Sequence, residues 1–213
     1  MASVSWDWNA FYSPGGLGMY DLIIRDGTIV DGTGAPARRG DVAVKDGKVV
    51  AVGTLEDGAE AAEVVDAGGK LVTPGFVDIH THYDGQATWD EVLDPSAGHG
   101  VTTVVAGNCG VGFAPVHPGQ EQWLIQLMEG VEDIPGTALA EGISWGWETF
   151  PEYLDVLDSR RYAIDIGTQV AHGAVRGYVM GDRGARNEPA SRRCRSSGTG
   201  AASASAARAR PSR

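Results

Sequence analysis

The segment Pro74-Gly75-Phe76-Val77-Asp78-Ile79-His80-Thr81-His82 holds the residue types best suited to chemistry. Side chains two apart on a strand point to one face. His80 and His82 therefore project together, with Val77 and Ile79 turned the other way, toward covering helices. Two imidazoles at the end of a strand make half of a metal site, because neutral histidine is the commonest nitrogen ligand for zinc. A bare His-x-His is a weak signal, and the plainer reading is two polar residues on a partly exposed strand. A second element, Gly107-Asn108-Cys109-Gly110, directly follows the β-branched run Val101–Ala106. Parallel strands present their C-terminal ends on one rim, where His80, His82 and Cys109 would meet. A thiolate beside two histidines suits zinc. The plainer reading of Cys109 is a small buried hydrophobe.

Other residues are weaker candidates. Asp78 shares the face of His80 and His82 and could orient a ligand, or serve as an interior structural acid. His172, in Ala171-His172-Gly173, is expected to end a third strand and to line the pocket from the same rim. His99 precedes the second strand and belongs at the opposite end of the sheet. His117 is expected to begin a helix and be solvated. Trp145 and Trp147 read as packing residues, and Arg176 as a surface arginine.

These residues need elements to position them. Tyr20–Thr73 reads as short strands separated by turn signals, giving a small, mostly antiparallel β layer. Leu22-Ile23-Ile24 ends at Asp26-Gly27, Thr28-Ile29-Val30 at Asp31-Gly32, and Val42-Ala43-Val44 at Asp46-Gly47, with Val49–Val52 beyond. Asp-Gly between apolar runs is a strong hairpin signal. Glu63–Asp66 and Leu71–Thr73 look like two more strands.

From Pro74 the pattern changes to strands at Phe76–His82, Val101–Ala106 and Ile164–Val170, with helices between the second and third. Trp123, Leu124, Leu127, Met128 and Val131 share one helical face. Phe150, Tyr153, Leu154 and Leu157 share another, opened by the capping-box spacing of Thr149 and Glu152 with Pro151 in the first turn. Strands alternating with helices suggest βα units on a parallel sheet. A full (β/α)₈ barrel takes about 250 residues, so the sheet is expected to be small and open, or the barrel incomplete.

The 213 residues are 42% hydrophobic and 21% charged, the balance of a globular chain with a core. A net charge of −11 argues against a nucleic-acid partner. That average hides a break at Ser191. Six of the 17 Lys and Arg lie beyond it with no acid, leaving 11 basic against 28 acidic residues before it, a net of −17. The stretch 191–213 has no Val, Ile, Leu, Met or aromatic residue, so it is expected to be disordered and the product of a shifted reading frame, with an authentic flexible linker as the alternative. Residues 1–18 read as an extension before a natural start at Met19, with no secretory pattern. Two cysteines make no disulfide framework, and the cytoplasm is the expected compartment. No run is apolar enough to span a membrane.

The stretch from Tyr20 to about Pro189 resembles the D-aminoacylase (N-acyl-D-amino-acid deacylase) branch of the amidohydrolase superfamily. Asp21–Gly32 looks like that superfamily's opening strands, and Pro74–His82 like its first barrel strand and metal motif. His99–Thr103, Gly107–Pro115 and Gly130–Gly136 look specific to the D-aminoacylase branch. The resemblance implies an N-terminal fragment, with a small β-sandwich layer at 19–73 and the first βα units of a TIM-like barrel at 74–190. It implies His80, His82 and Cys109 as zinc ligands, since this branch places a cysteine where cyclic-amide relatives use a carboxylated lysine. The reaction it implies is hydrolysis of an N-acyl-D-amino acid, a small-molecule substrate, to a carboxylate and a free D-amino acid. Two further histidines, a general-base aspartate and a carboxylate-binding arginine are expected beyond the end of this chain, so the fragment is expected to be inactive. Three other readings stay open: a non-catalytic metal-holding fragment, a cyclic amidase of the hydantoinase or dihydroorotase kind, and a small binding module.

Overall fold

A computed structural model describes residues 19–130, 134–186, 188–190 and 208–209. The expected extension at 1–18, residues 131–133 and the arginine-rich stretch from Ser191, apart from Arg208–Ala209, lie outside the described residues. The chain divides into two compact units between Pro74 and Gly75.

The first unit is one five-stranded sheet: β1 (Tyr20–Ile29), β2 (Arg38–Lys45), β3 (Lys48–Gly53), β4 (Ala61–Asp66) and β5 (Leu71–Val72). The order is β3-β2-β1-β4, with β5 also paired to β1. Asp46-Gly47 makes the expected tight hairpin between β2 and β3, both residues having positive φ (51° and 69°). Two expectations are corrected. The sheet is mixed, because the chain crosses from β3 to the far side of β1, where β4 and β5 lie parallel to it. Asp26-Gly27 is not a hairpin turn either. β1 runs through it, and the positive φ of Asp26 (59°) is absorbed where the register with β2 breaks between Ile24 and Gly27. A bulge needs the same backbone freedom as a turn, and here Asp41 Oδ1 accepts the Asp26 N–H at 2.9 Å. Ile23, Ile29 and Ala43 are buried in this unit.

The second unit holds a separate sheet: β6 (Phe76–Thr81), β7 (Val101–Ala106), β8 (Asp165–Thr168) and β9 (Arg208–Ala209), in that order. β6, β7 and β8 run parallel, as the alternation of strands and helices predicts, and β9 is antiparallel to β8. Its helices are α1 (Glu121–Glu129), α2 (Gly136–Gly142), α3 (Phe150–Asp158), α4 (His172–Met180) and α5 (Asp182–Ala185). The capping box of α3 forms as spelled: Glu152 N–H donates to Thr149 Oγ1 and Thr149 N–H donates to Glu152 Oε2. The apolar faces of α1 (Leu124, Ile125, Met128) and α3 (Phe150, Tyr153, Leu157) are buried with Val104 of β7 and Ile166 of β8. β6 departs from expectation. Val77 and Ile79 are 60% and 65% exposed, because among the described residues β6 is an edge strand of this sheet and the buried helical faces pack on β7 and β8. Among the described residues no helix is long and apolar enough to cross a membrane.

Candidate metal centre

β6 and β7 are adjacent and parallel, so their C-terminal ends lie side by side. His80 is on β6, His82 one residue past it, and Cys109 in the turn after β7. One ligand atom from each lies within 4.8 Å of the others. Cys109 Sγ is 3.7 Å from His82 Nδ1, and the two imidazole centroids are 5.4 Å apart, tilted by 38°. The Val111 N–H donates to Cys109 Sγ at 3.5 Å. His80 and Cys109 are exposed, and His82 is half-buried.

Local backbone makes this arrangement. Strict alternation does not hold along β6: Asp78 pairs with Val104 and Thr81 with Ala106, so β6 uses three residues where β7 uses two. The extra residue is a bulge at Ile79–His80, which breaks the ladder there. Side chains take up the freed groups. Asp78 Oδ1 accepts the His80 N–H at 3.1 Å, and Asn108 Nδ2 donates to the Ile79 carbonyl at 3.1 Å. Beyond the bulge, buried Thr81 donates its hydroxyl to the Val105 carbonyl at 3.1 Å, re-joining the two strands. Cys109 owes its place to Gly107, which has φ +79° and lies so close to Gln169 that a Cβ would sit 2.3 Å from that carbonyl oxygen. Only glycine fits both conditions.

The donor set fits a transition metal. Tetrahedral zinc with bonds of about 2.0–2.3 Å puts neighbouring ligand atoms roughly 3.4–3.7 Å apart. The Cys109–His82 separation is already of that length, and all three donor atoms lie within 4.8 Å of one another. Among the described residues three donor side chains converge, and three is the number of protein donors that a catalytic zinc site uses.

Asp78 accepts the His80 main-chain N–H and so holds the Ile79–His80 peptide. His172 does not end a strand. It opens α4, exposed, beside the Cys109 turn, where the Gly173 N–H donates to the Gly110 carbonyl at 2.6 Å, and it is outside the three-ligand group. His99 closes a short 3₁₀ turn before β7, at the opposite end of the strand. His117 is not simply solvated: Nδ1 meets Glu148 Oε1 at 2.9 Å, Nε2 meets the Tyr178 carbonyl at 3.1 Å, and its ring stacks on Tyr178. Trp147 is a packing residue whose indole N–H donates to the Phe113 carbonyl at 2.8 Å. Arg176 is tied to main-chain carbonyls of Gly184 and Glu188, bracing α4 against α5. Asn108 is the residue that the pattern of motifs passes over. Its only signal is its place between Gly107 and Cys109.

Residues 63–206 match the model of the amidohydrolase family. The chain is 36% identical over 163 residues to the D-aminoacylase of Alcaligenes xylosoxydans xylosoxydans, covering 76% of this chain and 31% of that protein. A solved structure of D-aminoacylase, described for the functional role of its binuclear metal centre, with one-metal activation and second-metal attenuation, superposes with a TM-score of 0.70 at 34% identity. That match covers 86% of this chain and 35% of the other. The N-acyl-D-glutamate deacylase of Bordetella bronchiseptica, solved with zinc and a phosphonate mimic of the tetrahedral intermediate, gives a TM-score of 0.66 at 32% identity over the same shares. The chain spans about a third of the length of these relatives.

Proposed function

The chain belongs to the amidohydrolase family, and on that premise we propose that His80, His82 and Cys109 form the zinc site of a hydrolase of linear C–N amide bonds, of the N-acyl-D-amino-acid deacylase type. One observation carries the reading: two imidazoles and a thiol from two adjacent parallel strands converge within 4.8 Å. The likeness to a deacylase solved with zinc supports the choice of metal and of substrate class.

When bound, zinc supplies Lewis acidity, polarising the amide carbonyl and lowering the pKa of a water so that a nucleophile is available near neutral pH. The chain's own residues hold it. His80 and His82 give neutral nitrogen donors, and Cys109 must ligate as a thiolate, so binding releases a proton. Asp78 fixes the peptide that carries His80. His172 lines the rim on the substrate side of the Cys109 turn. The products are a carboxylate and a free D-amino acid. In this reading β6, β7 and β8 are the first strands of a (β/α) barrel, and the sheet of β1–β5 is part of a β-sandwich. A reducing, cytoplasmic setting suits an exposed free cysteine at such a site.

Metal analysis of the purified chain tests the reading. After incubation with zinc and gel filtration, the chain is expected to retain about one zinc ion per molecule, as three converging ligands imply. A chain that emerges metal-free contradicts it.

A further inference from the structure

The bulge in β6 isolates one peptide unit, Ile79–His80, from the strand ladder. Both ends of that unit are captured by side chains. Its N–H goes to Asp78 on the same strand, and its carbonyl goes to Asn108, 29 residues away on the loop that bears Cys109. We propose that Asn108 is a positioning residue for the metal site, its side-chain amide locking the His80 peptide to the Cys109 turn. The proposal rests on the reading of His80, His82 and Cys109 as metal ligands.

Three points support it. First, the amide orientation is dictated by its partner. A carbonyl accepts and cannot donate, so only the Nδ2 edge of Asn108 can face the Ile79 oxygen. Second, the bond joins immediate covalent neighbours of two ligands. Asn108 precedes Cys109, and Ile79 precedes His80. With the peptide held at both ends, the plane that aims the His80 side chain is set relative to the thiol before any metal arrives. Third, the bond replaces a ladder bond that the bulge has removed. Beyond the bulge, the Thr81 hydroxyl bond to Val105 and the pairing of Thr81 with Ala106 join β6 to β7, and the Asn108 bond joins the strand to the Cys109 loop on the near side. Groups that orient metal ligands from outside the coordination sphere typically contribute 10–100-fold in metal affinity. An exposed hydrogen bond with no such role contributes little to stability.

The test is a cobalt titration of the metal-stripped 213-residue chain, following the thiolate-to-cobalt absorption band. Parent, Asn108→Leu, Asn108→Ala and Cys109→Ser are compared, with thermal unfolding by circular dichroism on each. Asn108→Leu keeps the volume and removes the donor. The expected result is roughly 10–100-fold weaker cobalt binding in both Asn108 variants, a weakened thiolate band at saturation, and an unfolding midpoint close to that of the parent. Cys109→Ser is expected to lose the band outright. A parent that binds cobalt with a thiolate band, alongside Asn108 variants that match it in affinity and band, overturns the role of Asn108 alone. A parent that binds no cobalt overturns the site itself, and the role of Asn108 with it.

Discussion

The phenol of Tyr153, on α3, donates a hydrogen bond of 2.7 Å to the main-chain carbonyl of Asp84, two residues past His82. Both residues are buried, so the bond pins the segment that follows His82 to the helical layer. Removing the hydroxyl leaves that carbonyl without its phenol donor in a dry environment. Tyr153→Phe is expected to cost about 1–3 kcal/mol of folding stability, measured by urea unfolding. A cost near zero would mean that the segment is held by other contacts.

Tyr162 makes the parallel bond, to the Ala87 carbonyl at 2.8 Å. Burial pushes its phenol up to about 12, with nearby Arg160 opposing and Glu91 adding to the rise. Burial raises Tyr153 in the same direction, helped by Asp84. An unfolded tyrosine titrates near about 10. The native state therefore keeps its phenol protons where the unfolded chain gives them up. This contribution is fully present below about pH 10 and is lost as pH rises toward about 12. Unfolding free energy followed across that window is expected to fall for the parent and to fall less steeply for Tyr162→Phe. Equal slopes would contradict the assignment.

Gly107 sets the turn that carries Cys109. Gly107→Ala meets two obstacles: a left-handed backbone, worth roughly 1–2 kcal/mol, and a Cβ placed 2.3 Å from the Gln169 oxygen. Gly119→Ala is the control, with φ +84° and open space around it. Gly107→Ala is expected to lose more stability than Gly119→Ala, and to lose zinc affinity that Gly119→Ala keeps. Equal effects would show that the approach to Gln169 relaxes without consequence.

How much of this could be read in the residues follows from the kind of interaction involved. Local rules carried far. Val101–Ala106 is a strand with those ends, Thr149 caps its helix with Glu152, and Asp46-Gly47 turns a hairpin. His80, His82 and Cys109 converge because two strands are parallel and adjacent, which the alternation of strands and helices predicts. Tertiary effects were not readable. Glycine disfavours helix by about 1 kcal/mol per residue, which hides α4, yet Gly173 and Gly177 are what let that helix approach Gly110 and Trp123. The carbonyl freed by the bulge at Ile79–His80 is met by Asn108, a residue with no periodic signature. The positive φ at Asp26 served a bulge instead of a turn because β2 continues alongside it.

The 213-residue chain is expected to hold zinc without hydrolysing N-acetyl-D-amino acids. Among the described residues the candidate donor group has three members, and the carboxylate on β6, Asp78, accepts the His80 N–H. A general base is worth about 10²–10⁴-fold in rate, and none stands free beside the ligands on β6. D-amino-acid release measured with added zinc checks this. Turnover above that of a His80→Ala, Cys109→Ala double variant would show that a base is supplied in another way.

Whether His80, His82 and Cys109 bind one metal ion together is settled by a zinc titration of metal-stripped protein by isothermal calorimetry. The parent is expected to bind a single equivalent. His82→Ala and Cys109→Ser, each of which removes one of three ligands, are expected to bind it at least about tenfold more weakly. His99→Ala, at the far end of β7, is expected to match the parent. If His82→Ala and Cys109→Ser both bind zinc as tightly as the parent, the metal site is not where these three side chains meet.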